Sequence, residues 1–278
     1  MPELWHPADT APADTFNGPW GAERAPDPKA TYTFVRQKTH GVSPGLTVRD
    51  ARGVEWSVKE GDEGPVEVTV SRILSSVGYH QPPVYFLATY MLTDEKGRTH
   101  MVGGGRFRPH EKGLSDKGEW SWQQNPFVGT KPYQGLLVIL MMLDSSDLKN
   151  SNNSLYELKE PREGARQWFV VRDIGTSLGE TARLDPKRND PALFEHEKFI
   201  TGVRGGFVEF NYHGWHQELF KHRITPADVQ WASDLLGKLS DAQWADAFRA
   251  GGYQPDVAGR FIRRLHEKIE EGRTLVLR

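Results

Sequence analysis

Two short polar motifs and one upstream cation have the residue types that phosphoryl transfer requires. The run D-S-S-D-L-K-N-S-N-N occupies residues 144–153, and D-I-G stands at Asp173, Ile174 and Gly175. Upstream, Lys59 closes a β-prone run, and Glu67 follows in a segment with helical periodicity. Transfer of a phosphoryl group needs magnesium on hard oxygen ligands, a cation on the phosphates and a carboxylate that orients the attacking hydroxyl. The chain supplies those types in order, each on a suitable kind of element. Taken singly, each has an ordinary reading as well. Asp and Asn are common in turns that leave a helix, an exposed Lys and Glu form ion pairs worth little, and Gly175 suits a turn with positive φ. The conjunction of five residues outweighs those separate readings.

The elements that must position these residues can be read from periodicity and turn signals. Residues 1–30 are rich in Pro, Ala, Asp and Gly without a sustained period, which predicts an irregular arm that Trp5, Phe16 and Trp20 could pin to the body. Short β-prone runs at 32–36, 46–49, 54–59, 84–92 and 99–102 predict a small sheet. Within it, Val66, Val70, Ile73, Leu74 and Val77 recur at α-helical spacing, with Pro65 opening the helix and Gly78 closing it. Glu67 lies at the edge of that helix's buried face, able to point toward a neighbouring strand. Residues 132–143 predict a buried helix that ends in the polar run, and strands near 154–158 and 168–171 follow, the second leading into D-I-G.

The remainder is expected to be mainly helical. Thr225 before Pro226, and Ser240 with Gln243, are helix-start signals. Val257, Phe261, Leu265 and Ile269 mark a last amphipathic helix, whose Arg260, Arg263, Arg264 and Lys268 read as a solvated outer face.

With 278 residues, of which 37% are hydrophobic and 11% aromatic, the chain can bury a sizeable core. A net charge of −2 gives no broad basic field for nucleic acid or anionic lipid, so phosphate binding must be local. Absence of cysteine excludes disulfides, thiolate zinc sites and thiol nucleophiles. The apolar run at 135–143 is too short to span a bilayer, and the N-terminus lacks the pattern of a secretory signal. Compartment stays open between cytoplasm and export.

At the motifs D-L-K-N-S-N and D-I-G the chain resembles the protein-kinase superfamily, whose catalytic loop reads D-L-K-x-x-N and whose metal-binding turn reads D-F-G. The resemblance implies Asp147 as catalytic base, Lys149 as neutraliser of charge on the transferred group, and Asn152 with Asp173 as ligands of Mg2+ or Mn2+. It implies Lys59 on the α and β phosphates of ATP, held there by Glu67. The segment T-H-G-V-S-P-G, with Gly41, Ser43 and Gly45, would be the nucleotide loop.

Several departures point toward atypical bacterial members, similar to HipA-type, phosphoinositide or secreted atypical kinases. Ser145 and Ser146 stand where His-Arg is usual, and no A-P-E follows D-I-G. The wide separation of Asp147 and Asp173 requires a long hairpin between them. The implied fold is a two-lobed α+β kinase type, with a sheet-rich N-lobe at 31–110, a helical C-lobe at 111–278 and ATP between. The expected reaction moves the γ-phosphate to a hydroxyl of a protein or small molecule. A pseudokinase serving as a binding module, and AMP transfer on the same fold, are the alternatives.

Other candidates carry less. Asp144 rivals Asp147, but only Asp147 has Asn at the right offset. His213 and His216 could share a metal yet lack a third ligand and read as structural. Trp120 and Trp122 read as packing between lobes rather than a sugar platform.

Overall fold

The computed structural model describes residues 1–7, 9–38 and 45–275. Its first half is a seven-stranded sheet built from β1 (Thr31–Gln37), β2 (Gly45–Arg49), β3 (Glu55–Glu60), β4 (Tyr85–Leu87), β5 (Tyr90–Thr93), β6 (Thr99–Val102) and β7 (Gly105–Pro109), with helix α1 (Glu63–Ser76) inserted after β3. The strand order is β4-β7-β3-β2-β1-β5-β6. The single strand predicted at 84–92 is therefore two strands. A bend at Ala88 and Thr89 hands the chain from one edge of the sheet to β1 near the other. Three Cα steps reach about 11 Å at most, so the sheet must curl on itself. Tyr32, Trp56, Tyr90 and Phe107 fill the inside of the curl and stack edge to face.

Alternation along β3 and β7 splits their residues cleanly. Trp56, Val58 and Phe107 face the curled core, whereas Ser57 and Lys59 pair in register with Arg108 and Arg106 on the opposite face. That polar face lines the cleft.

The second half begins with β8 (Leu114–Asp116) and helix α2 (Lys131–Met142), followed by the hairpin of β9 (Asn153–Arg162) and β10 (Ala165–Val171). Next come α3 (Pro191–His196), β11 (Ile200–Arg204), β12 (Phe207–Phe210), α4 (Pro226–Leu236), α5 (Asp241–Ala250) and α6 (Pro255–Arg273). Thr225 and Ser240 each close a capping box, with Asp228 and Gln243 respectively. The β11–β12 hairpin is the exception in a remainder that is mainly helical among the described residues, as expected. Gly205 and Gly206, at φ 59° and 82°, form the tight turn that the R-G-G sequence encodes.

Helix α1 starts at Glu63, two residues before Pro65. Its apolar stripe, Val66, Val70, Ile73, Leu74 and Val77, is fully buried in the main core together with α2, α4, α5 and α6. Each such side chain contributes about 1.5–3 kcal/mol, so α1 is fastened to the helical half although it belongs to the sheet by sequence. Lys268 corrects the reading of α6. It is fully buried and pairs with Asp144 instead of facing solvent. Arg264 likewise turns inward to donate to the Glu197 carbonyl.

The arm at residues 1–30 lies along both halves. Trp5 bridges to Tyr79, donates its indole N–H to the Val77 carbonyl and stacks on Trp231 of α4. Glu3 accepts from the Phe169 amide of β10, and Gln243 of α5 donates to the Thr10 carbonyl. Farther on, Arg72 of α1 donates to the Phe16 carbonyl and Tyr85 of β4 donates to that of Gly21. The fold is thus α+β, with a curled, sheet-rich N-terminal part and a helical C-terminal part. Among the described residues no helix is long and apolar enough to cross a membrane.

Candidate active site

Helix α2 ends at Met142, and the chain turns through Asp144, whose φ of 52° lies in the left-handed region that Asp tolerates better than most residues. Asp144 is 2% exposed, 2.7 Å from Lys268 Nζ. Burial pushes its carboxyl up to about 7 and pushes the Lys268 ammonium down. Asp144 is therefore committed to the scaffold through Lys268.

Ser145 and Ser146 tie this loop to the D-I-G turn. The Ser145 and Ser177 hydroxyls are 2.7 Å apart, Ser177 donates to the Ile174 carbonyl at 2.9 Å, and the Ser146 amide donates to the Thr176 carbonyl at 3.0 Å. On the other side, the Tyr212 hydroxyl and the Trp215 amide both donate to the Ser146 carbonyl.

Asn152 donates from its side-chain amide to the Asp147 carbonyl at 2.7 Å. This leaves its amide oxygen, the atom a hard cation takes, uncommitted among the described residues. The Asn152 backbone carbonyl accepts from the amides of both Arg172, at 3.0 Å, and Asp173, at 3.2 Å. The β9–β10 hairpin, with Asn153 opposite Val171, thus closes the long gap between the two motifs. Asp147 Oδ1 is buried, with Lys149 Nζ at 2.9 Å, and accepts no hydrogen bond from the described residues.

Lys59 reaches across the cleft to Asp173, Nζ to Oδ1 at 3.4 Å. It also contacts Glu63, which in turn contacts Arg188. Glu67 does not pair with Lys59. Because α1 begins earlier than Pro65 suggested, Glu63 occupies the turn beside Lys59, and Glu67 lies one turn deeper. There, 1% exposed, it holds Arg106, at 3.2 Å, and Arg108. Gly175 does not have positive φ. Its requirement is space, since a Cβ there would come within 2.8 Å of Glu63 Cβ.

These groups line a cleft of about 470 Å³. Six cations face it, Lys38, Lys59, Arg106, Arg108, Lys149 and Arg172, against three carboxylates, Glu63, Asp147 and Asp173. In a chain of net charge −2, that surplus makes the cleft locally positive, a field suited to an anion. Burial raises the Asp173 carboxyl, but Lys59, Arg108, Arg106 and Arg172 outweigh it and hold Asp173 below its ordinary range. Burial, followed by Arg106 and Arg108, pushes the Lys38 ammonium down to about 8. A second cavity of about 370 Å³ adjoins the first and shares Lys38, Arg108 and Arg172 with it.

Gly45 lines the first cavity as the opening residue of β2, opposite Lys59, rather than as part of a loop. Gly41 and Ser43 lie outside the described residues. His213 is exposed, and His216 pairs with Glu218. Among the described residues no group of three or more His, Cys, Asp and Glu could hold a metal. Trp120 and Trp122 pack against each other in the main core, and the Trp122 amide donates to the Asn150 side chain, so they brace the loop at residues 147–152.

Sequence reading missed Arg106, Arg108, Arg172 and Lys38. The signal was R-F-R in a strand beside the one carrying Lys59, but β7 was not recognised. The donor set fits a magnesium nucleotide: an amide oxygen and an ionised carboxylate joined through one backbone carbonyl, beside a surplus of cations.

No family model matches this chain, and no curated protein matches it. Among solved structures, the Helicobacter pylori proinflammatory kinase CtkA is similar, at 11% identity and a TM-score of 0.51, over 89% of this chain and 95% of that one. At that identity the likeness carries the fold, which is kinase-like. A closer likeness to HipA-type or secreted kinases does not follow from it.

Proposed function

We propose that this chain is an ATP-dependent phosphotransferase that moves the γ-phosphate of ATP to a hydroxyl of a protein or small molecule. The observation that carries the reading is the meeting of Lys59 and Asp173 at 3.4 Å across the cleft, with Asp173 and Asn152 joined at one backbone carbonyl. Lysine from the sheet and the amide and carboxylates of the helical half then serve one ligand.

Lys59 neutralises the nucleotide phosphates, and Glu63 keeps its ammonium aimed. Asn152 and Asp173 would hold Mg2+ or Mn2+, which supplies charge neutralisation to the phosphates when bound. Asp147 accepts the proton of the acceptor hydroxyl, with Lys149 beside it to offset charge on the moving group. A new oxygen–phosphorus bond forms as the bond to the leaving oxygen breaks, ADP departs, and the proton rests on Asp147.

The test is turnover of α- and γ-labelled ATP with candidate acceptors, in wild type, Asp147→Asn and Asp173→Ala. Product carrying only the γ label, lost in both variants, is expected. Turnover intact in both variants would sink the proposal, and product carrying the α label would mean AMP transfer. A second reading, a nucleotide-binding module without transfer, is favoured by the contact of Lys149 with the Asp147 carboxylate. It predicts thermal stabilisation by ATP with magnesium and no labelled product.

A further inference from the structure

The two cavities meet at three cations that the phosphotransferase reading leaves without a task. Lys38 Nζ contacts the Ser57 hydroxyl, and no carboxylate among the described residues pairs with it. Arg108 gives one amino group to Glu67, while its Nε is a buried donor without a partner. Arg172 uses one nitrogen on Asp116, at 2.8 Å, and on the Tyr156 hydroxyl, at 3.0 Å. Each therefore keeps donors for something else. A buried guanidinium nitrogen with no acceptor costs about 1–3 kcal/mol unless a ligand supplies one.

The arrangement is also electrostatically strained. Arg106 stands directly opposite Lys59, and Arg108 stands two residues along the same face of β7. Among the described residues, Glu67 alone forms an ion pair with both arginines. The scaffold has accepted this crowding of like charge on the cleft side, where a ligand can relieve it.

We infer that Lys38, Arg108 and Arg172 form a second oxyanion subsite at the junction of the two cavities, distinct from the Lys59–Asp173 end, and that it takes a phosphate group. The chemistry fits two sources: a phosphate of the nucleotide nearest its sugar, or free inorganic phosphate bound beside the nucleotide. Guanidinium forks and an ammonium with open donors are suited to a tetrahedral oxyanion. The inference builds on the phosphotransferase reading but does not depend on transfer occurring.

Titration calorimetry decides it, with wild type, Lys38→Met and Arg108→Met each titrated with AMP, ATP and inorganic phosphate at fixed ionic strength. Losing one charge-assisted contact should weaken binding about tenfold or more. Weakened AMP and ATP binding identifies the nucleotide as the source. Weakened inorganic phosphate binding with nucleotide affinity unchanged identifies free phosphate. If neither variant alters any of the three affinities, the subsite does not exist. Lys38 belongs to none of the buried apolar clusters among the described residues, so its replacement leaves the core intact, and Lys38→Met alone decides the question should Arg108→Met unfold. Failure here leaves the labelled-ATP result untouched, and failure of transfer leaves these affinities untouched.

Discussion

Replacing Lys268 by Met should unfold the protein far more readily than any surface change, and do so in a pH-dependent way. Lys268 is 0% and Asp144 2% exposed, 2.7 Å apart, with Lys268 also donating to the Met142 carbonyl at 3.1 Å. Removing one member of a buried pair leaves an uncompensated charge, which costs about 3–5 kcal/mol. For a chain of this size that is a fall in melting temperature of roughly 10 °C. The folded-state pKa of Asp144, about 7, lies above its ordinary value of 3.8. Its contribution to stability is thus fully present below about pH 4 and is lost as pH rises through 7. In Lys268→Met the lone carboxyl can take a proton as pH falls, so the deficit should be large at pH 8 and shrink by pH 5. The double variant Asp144→Asn, Lys268→Met keeps a residue that accepts positive φ and removes the stranded charge, and it should regain most of the loss. Thermal and urea melts at both pH values measure this. A Lys268→Met protein as stable as wild type at pH 8, or a double variant no better than the single, would refute the reasoning.

The two glutamates of α1 should separate cleanly. Glu67→Gln leaves Arg106 and Arg108 without their buried carboxylate and should cost about 3 kcal/mol or more in urea denaturation. Glu63→Gln should barely move the melting temperature yet raise the KM for ATP about tenfold, because Lys59 loses the partner that aims it. Gly175→Ala puts a Cβ 2.8 Å from Glu63 Cβ and 3.2 Å from the Glu63 carbonyl oxygen. It should cost about 1–3 kcal/mol in melts, with a larger loss of turnover as the D-I-G turn is pushed from Lys59.

The order Lys59, Asp147, Asn152, Asp173 and the element carrying each were legible, because strand ends, helix ends and hairpins leave local signatures. Partner choice was not. Placing the helix start at Pro65 moved attention to Glu67, whereas the first turn begins at Glu63, and only tertiary packing decides which glutamate meets the lysine. Lys268 follows Phe261 by seven positions and so shares the buried stripe of α6, a relation its charge concealed. Its counter-ion lies 124 residues away, beyond any local pattern. Arg106 and Arg108 stayed hidden for a related reason: the curl of the sheet, set by the two-residue bend before Tyr90, decides which strand lies beside β3.

The arm has a mechanical consequence. The sheet-rich and helical parts are already linked once by the chain that runs from Pro109 into β8. The arm fastens them again, gripping α1 and β4 through Phe16 and Gly21 while its earlier residues hold β10, α4 and α5. The apolar stripe of α1 buried in the helical core is a third attachment between the two parts. Opening of the cleft should therefore strain the strands around α1 rather than swing two free leaves, which keeps Lys59 near Asp173 in every conformation.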